Sequence, residues 1–237
     1  MPNPLFIIIG NFPMTHKTHL LLALIVWVGF APYAWAEENA ATKEGPPKEL
    51  TAKAEKGDAQ SQFSLGLMYF KGDGIPMNKA EAVKWWRKAA EHGHADSQYN
   101  LGLAYALNGH GVPKDEAEAV KWWRKTAEQG DASSQHALGF AYANGHGVAK
   151  DGAEAVKWYR MAAEQGDASA QNNLALKYAR GEGVPKDDVL AYKWILLAGA
   201  KKEKSRETIQ LIEKRLTPEQ RAEGQKLARE FKPVVQK

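Results

Sequence analysis

Seven histidines supply this chain's best candidates for metal or proton chemistry, and four of them fall into patterns. His110 and His146 occupy matching places in Gly-His-Gly triplets, while His92 and His94 flank Gly93. A metal site needs such nitrogens to converge with carboxylates on one point. Asp73 and Glu182, however, stand at the same place in two further Gly-x-Gly triplets. That position therefore accepts any polar residue, and the glycines serve the shape of a loop. The chain has no cysteine, which removes thiol nucleophiles, thiolate metal sites, disulfides and a lipoprotein anchor. Ser-x-x-Lys, Lys-Thr-Gly, Gly-x-Ser-x-Gly, His-Glu-x-x-His, Walker and EF-hand patterns are likewise missing from the sequence. No catalytic residue, metal or cofactor is expected, and the reading is of a protein that is not an enzyme.

The elements that carry these residues are set by an internal repeat. Gly57, Gly93, Gly130 and Gly166 recur at spacings of 36, 37 and 36, the sign of a repeat architecture. Leu65-Gly66, Leu101-Gly102, Leu138-Gly139 and Leu174-Ala175 return in register, as do Tyr69, Tyr105, Tyr142 and Tyr178. So do Trp85, Trp122, Trp158 and Trp194, each after a lysine. One extra residue sits just before the second Gly-x-Gly loop. Each copy reads as two helices, A and B. Asp58 can cap helix A of the first copy, and Ala59, Gln62, Leu65 and Tyr69 follow at helical spacing. Helix B opens at Asn78, Asp115, Asp151 or Asp187, and in the first three copies a Glu stands three residues on, as in a capping box. Glu81 with Lys84 and Glu118 with Lys121 then read as surface pairs.

A helical hairpin with one apolar stripe cannot bury it alone, so hairpins must stack, with each Trp filling the space between neighbours. Burying about 200 Å² of a Trp contributes about 5 kcal/mol before entropy. The second tryptophans, Trp86 and Trp123, with Tyr159 and then Ile195 in their place, read as core cover rather than a ligand patch.

The words Gly-Asp-Ala-x-Ser/Ala-Gln, Leu-Gly-x-x-Tyr, Gly-x-Gly-Val and Glu-Ala-Val-Lys-Trp resemble the Sel1-like repeat, a longer relative of the tetratricopeptide repeat, over about residues 54 to 199. The resemblance implies an all-α fold, a right-handed superhelical solenoid of helical hairpins with terminal capping helices. It also implies a protein-binding role. Cysteine-rich relatives of the repeat act on β-lactams, but their paired cysteines have no counterpart here.

The termini complete the expected organisation. Residues 1–36 hold one charge, Lys17, then the apolar stretch Leu20 to Phe30 and the triplet Ala34-Trp35-Ala36. This is the order of a signal peptide cleaved after Ala36, with Met14 as an alternative start. Its 11 apolar residues fall short of the roughly 20 that a spanning helix needs, so no stable membrane insertion is expected after cleavage. Residues 37–48, with Gly45-Pro46-Pro47, read as a flexible leader. Four repeats occupy 49–199, at about 57–92, 93–129, 130–165 and 166–199, with an N-terminal capping helix before them. Residues 200–237 form C-terminal capping helices, the last opened by Thr217-Pro218-Glu219-Gln220 and stopped by Pro233. Residues 201–237 carry eleven Lys or Arg against six Glu, a solvated helical face rather than a nucleic-acid surface.

Packing fixes the repeated positions, so the positions of helix A that vary between copies are free to bind. In related solenoids helix A lines the concave face. Tyr99, Asn100, Asn172, Asn173 and Lys177 are the candidate partner-binding residues, for a protein or peptide client. The expected protein is a monomeric adaptor or scaffold in the periplasm or secreted. Two alternatives are an envelope enzyme or binder acting on cell-wall glycopeptide or β-lactam, and a structural part of an envelope assembly.

Overall fold

Capping side chains and left-handed glycines divide the chain into short helices, and a computed structural model shows eleven of them among the described residues, 45–199 and 203–234. The expected signal peptide, and the leader up to residue 44, lie outside the described residues. α1 spans Lys48–Glu55. Four hairpins follow: α2 (Ala59–Lys71) with α3 (Lys79–Glu91), α4 (Ala95–Ala106) with α5 (Glu116–Glu128), α6 (Ala132–Asn144) with α7 (Gly152–Glu164), and α8 (Ala168–Arg180) with α9 (Asp188–Leu197). α10 (Glu203–Glu213) and α11 (Pro218–Glu230) close the array against α9. Among the described residues all regular structure is helical, and no helix is long and apolar enough to cross a membrane.

The caps are those the sequence predicts, with one substitution. Asp58, Asp131 and Asp167 accept an amide of the first turn of α2, α6 and α8, and Asn78, Asp115, Asp151 and Asp187 do the same for α3, α5, α7 and α9. Each satisfies a donor that the helix start leaves without a partner. In α4 this place falls to His94, whose Nδ1 accepts from the Ser97 amide at 3.3 Å. Thr217 and Gln220 form a full capping box around Pro218 at the start of α11.

Repeats are joined by three recurring contacts. Gln62, Gln98, Gln135 and Gln171 each donate from Nε2 to a carbonyl in the last turn of the preceding helix, Ala54, Ala90, Ala127 and Ala163, at 2.9 to 3.1 Å. Each of those carbonyls already accepts from the amide of the glycine that follows its helix, Gly57, Gly93, Gly130 or Gly166, and the glutamine adds a second, buried donor from across the joint. Arg124 donates to the Tyr142 hydroxyl at 2.6 Å and Arg160 to Tyr178 at 2.5 Å, and Arg87 holds Tyr105 in the same way. The third contact uses the loop glycines. At Gly111, Gly147 and Gly183 the backbone has positive φ and lies directly on the first turn of the preceding B helix, where a Cβ would strike a main-chain carbonyl. Gly74 has no copy before it and faces open space.

The core sits at these joints. Trp86, Val83 and Ala90 of one copy meet Leu101, Ala104 and Trp122 of the next, and Trp123, Val120 and Ala127 meet Leu138, Ala141 and Trp158 in the same way. None of these tryptophans is more than 8% exposed. The second aromatic of each pair reaches across its own hairpin to a glycine, Trp86 to Gly66, Trp123 to Gly102 and Tyr159 to Gly139, at a distance that excludes a methyl group. In the fourth copy Ile195 replaces the second aromatic and Ala175 replaces the glycine, both buried in one cluster.

Candidate functional site

The A helices form a row on which the variable residues stand, and a groove opens between two of them. It has a volume of about 410 Å³. Tyr99, Leu103 and Leu107 on the α4 side face His136, Ala137 and Phe140 of α6, over a floor that includes Ala119 and Trp123 of α5. Lys114, Glu116 and His146 lie at its loop end. Leu107 and Phe140 are 47% and 49% exposed, a large apolar surface for residues with no fold to hold.

Local sequence explains why the groove is here. α2, α6 and α8 each end on a glycine in the left-handed region, Gly72, Gly145 and Gly181. α4 carries the extra residue and ends on Leu107 in an extended conformation, which turns that side chain into the mouth of the groove. Phe140 stands where the other copies have Leu67, Leu103 and Leu176, so one wall is widened by an aromatic ring.

The five sequence-predicted residues are all half-buried on A helices, but the structure groups only some of them. Tyr99 lines the groove, and its carbonyl accepts from the Trp123 indole at 3.3 Å. Asn173 of α8 reaches back to α6, its Nδ2 3.1 Å from His136 Nε2. Asn173 thereby orients a groove residue without lining the groove. Lys177 is a half-hidden ion pair rather than an open cation: its side chain is 14% exposed and Nζ lies 2.8 Å from Glu182 Oε2. That bond holds the Glu182 carboxyl below the usual carboxylate range. Asn100 and Asn172 sit beside the groove residue and the His136 partner respectively, outside the groove lining.

Leu103, Leu107, His136 and Phe140 were not among the predicted residues. Two signals pointed to them: the extra residue before the second loop, and an aromatic at a position that is Leu in every other copy.

Burial sets the titration of the groups around the groove. Burial lowers the His136 pKa, with Asp167 opposing the shift, so the ring is neutral at neutral pH and Nε2 can accept from Asn173. Burial also raises the Tyr99 hydroxyl, helped by Asp131 and Asp167, and drives Tyr159 well above the phenol range. Both stay protonated. Lys114 Nζ at 2.7 Å and His146 Nδ1 at 3.2 Å share one oxygen of Glu116, and Lys114 above all lowers that carboxyl's pKa. His146 also stacks on Phe140, with ring centroids 5.7 Å apart, and His110 leans on Phe70 at 5.4 Å. Among the described residues no group of three or more His, Asp or Glu is placed to hold a metal ion. Ser97 Oγ lies 3.2 Å from His94 Nδ1, the pairing used in acyl transfer. Here Ser97 is fully buried in the first turn of α4, and the contact belongs to the helix cap.

Stacked hairpins, joints sealed by tryptophan and a variable A-helix row define the class: an all-α repeat solenoid. The chain belongs to the Sel1 repeat family, whose pattern matches residues 59–94, 95–131, 132–167 and 168–202 in four consecutive copies. Proteins built of Sel1 repeats generally act as protein-interaction scaffolds. Several solved structures are similar to it, two of them as follows. One is c5321, a protective antigen present in uropathogenic Escherichia coli strains that displays an SLR fold, at 35% identity and a TM-score of 0.70 over 82% of this chain. The match spans 43% of the c5321 chain. The other is a Sel1 repeat protein from Oxalobacter formigenes, at 37% identity and a TM-score of 0.65, covering 77% of each chain. No curated protein matches the chain.

Proposed function

We propose that this protein is an exported, non-enzymatic adaptor that binds a protein or peptide client on its A-helix face. The observation that carries the reading is the groove between α4 and α6, where Leu107 and Phe140 stand exposed while the tryptophans of the joints are buried. Apolar groups left uncovered beside polar, hydrogen-bonding ones are the usual make-up of a peptide site. Tyr99, Asn100, Asn172, Asn173 and Lys177 then extend the contact along the neighbouring A helices, with amides to meet a peptide backbone. The leader-like residues 1–36 support export to the periplasm or beyond. On this reading the molecule works as a monomer and takes no cofactor.

The test is affinity capture from an envelope fraction with the mature protein as bait, wild type beside a variant with Asn100, Asn173 and Lys177 changed to Ala. The variant is expected to lose the partners that the wild type recovers. Equal recovery would contradict the assignment of this face. A fluorescent penicillin is expected to leave the purified protein unlabelled, and covalent labelling would contradict the non-enzymatic reading.

A further inference from the structure

One A helix starts differently from the other three. Asp58, Asp131 and Asp167 cap α2, α6 and α8 with a carboxylate oxygen 2.6 to 2.8 Å from an amide of the first turn. α4 is capped by an imidazole, with His94 Nδ1 accepting from the Ser97 amide at 3.3 Å. A neutral imidazole has one acceptor nitrogen and one that carries a proton. Because Nδ1 is the acceptor, the proton sits on Nε2, which lies 3.2 Å from Gln60 Oε1 of α2 and donates to it. Phe63 of α2 stacks on the same ring, with centroids 4.7 Å apart. His94 therefore caps α4 and also ties α4 to α2, across the joint between the first two repeats.

A further proton would go to Nδ1, the nitrogen that holds the Ser97 amide. The Ser97 hydroxyl, 3.2 Å from Nδ1, can turn to accept from it, but an amide has only a hydrogen to offer. Ser97 is fully buried, so its amide reaches water only if the first turn of α4 opens. The new charge would also stand at the positive end of the helix dipole. The aspartate caps are spared, because a carboxyl group keeps an acceptor oxygen whether ionised or protonated. Asp58, Glu91, Asp96 and Asp131 stand around this joint and favour a charged ring, whereas Lys53, Lys56, Lys88 and a protonated His92 oppose it. All but Asp131 are exposed, where water and salt weaken both sets. The hydrogen bond therefore decides the sign: the joint is intact with a neutral ring and weakens as pH falls. We propose that His94 makes the joint between the first and second repeats acid-sensitive, a proton on Nδ1 stripping the Ser97 amide of its acceptor and freeing the start of α4 while the three aspartate-capped A helices stay closed. α4 also carries Tyr99 and Leu103 of the groove, so the proton acts beside that surface.

Amide hydrogen exchange at about pH 8 and about pH 5, on either side of an imidazole titration, tests this on the purified protein. Protection in the first turn of α4 is read relative to the first turns of α2, α6 and α8, with the intrinsic effect of pH removed. A general loss of stability in acid, such as one from His136, cancels in that ratio. The relative protection of the Ser97 amide is expected to fall roughly fivefold at the lower pH, the size of a lost cap. His94→Asp, which gives α4 the carboxylate cap of the other copies, should hold the ratio constant. Nitrogen chemical shifts of the His94 ring should place its proton on Nε2 at the higher pH. A constant or rising ratio in the wild type, an equal fall in His94→Asp, or a ring that carries its single proton on Nδ1 would each overturn the proposal.

Discussion

Gly102 and Trp123 show how tightly residue choices are coupled. A methyl group on Gly102 would enter the indole ring, so Gly102→Ala should destabilise by about 1 to 3 kcal/mol, although Ala is the better helix former. The fourth copy already contains the answer, with Ala175 opposite Ile195. Adding Trp123→Ile to Gly102→Ala should recover part of the loss, a non-additive result that urea denaturation of the single and double variants can read. His136 gives a pH dependence whose sign follows from its lowered pKa. The unfolded chain takes up its proton near the ordinary value of about 6.5, the folded chain only below that. Its contribution is complete above that value and is lost as pH falls through it. The melting temperature should drop between about pH 7 and pH 5, and drop less in His136→Gln, which keeps an acceptor for Asn173. An equal drop in both proteins would remove His136 from the account.

Elements were the most legible level of this sequence. Caps at Asp58, Asp115 and Thr217, breaks at the Gly-x-Gly loops and the register of Leu and Trp are local signals, and each specifies a helix start, stop or buried face by itself. The joints were partly legible: that tryptophans fill them follows from burial, but not which aromatic rests on Gly66 and which meets the next copy. His94 reads in the sequence as a possible ligand, and the structure makes it the cap of α4, at the place that Asp58, Asp131 and Asp167 hold in the other copies. The groove was the least legible part. It depends on Leu107 leaving the helix in an extended conformation and on Phe140 of the next copy standing opposite, two residues far apart in sequence with no shared pattern. The C-terminal capping helices were legible in the sequence, but the docking of the chain after them was not, because Pro233 reads only as a stop. In the structure the segment after α11 folds back: the Val234 amide donates to the Glu164 carbonyl at 2.8 Å, and the Phe231 ring meets Trp194 edge-on with centroids 5.6 Å apart. Phe231→Ala should therefore cost about 1 to 3 kcal/mol and raise amide exchange in α9 while α4 and α5 stay protected. Uniform loss of protection would mean the array unfolds as one unit.

At the scale of the whole molecule, a solenoid divides its labour between rows. Joint positions repeat because every copy must bury the same stripe against the next. The A-helix row varies because the joints do not constrain it in the same way, and there one joint differs from the rest in shape. The central claim is that this row, at the joint between α4 and α6, is the working surface. A photo-crosslinking amino acid placed at Phe140, and in a control protein at Lys121 on the exposed side of α5, tests this in cells that make the protein. Crosslinks to a discrete partner from position 140, and none from 121, are the predicted result. Partners captured from 121 alone, or from both positions alike, would contradict the account.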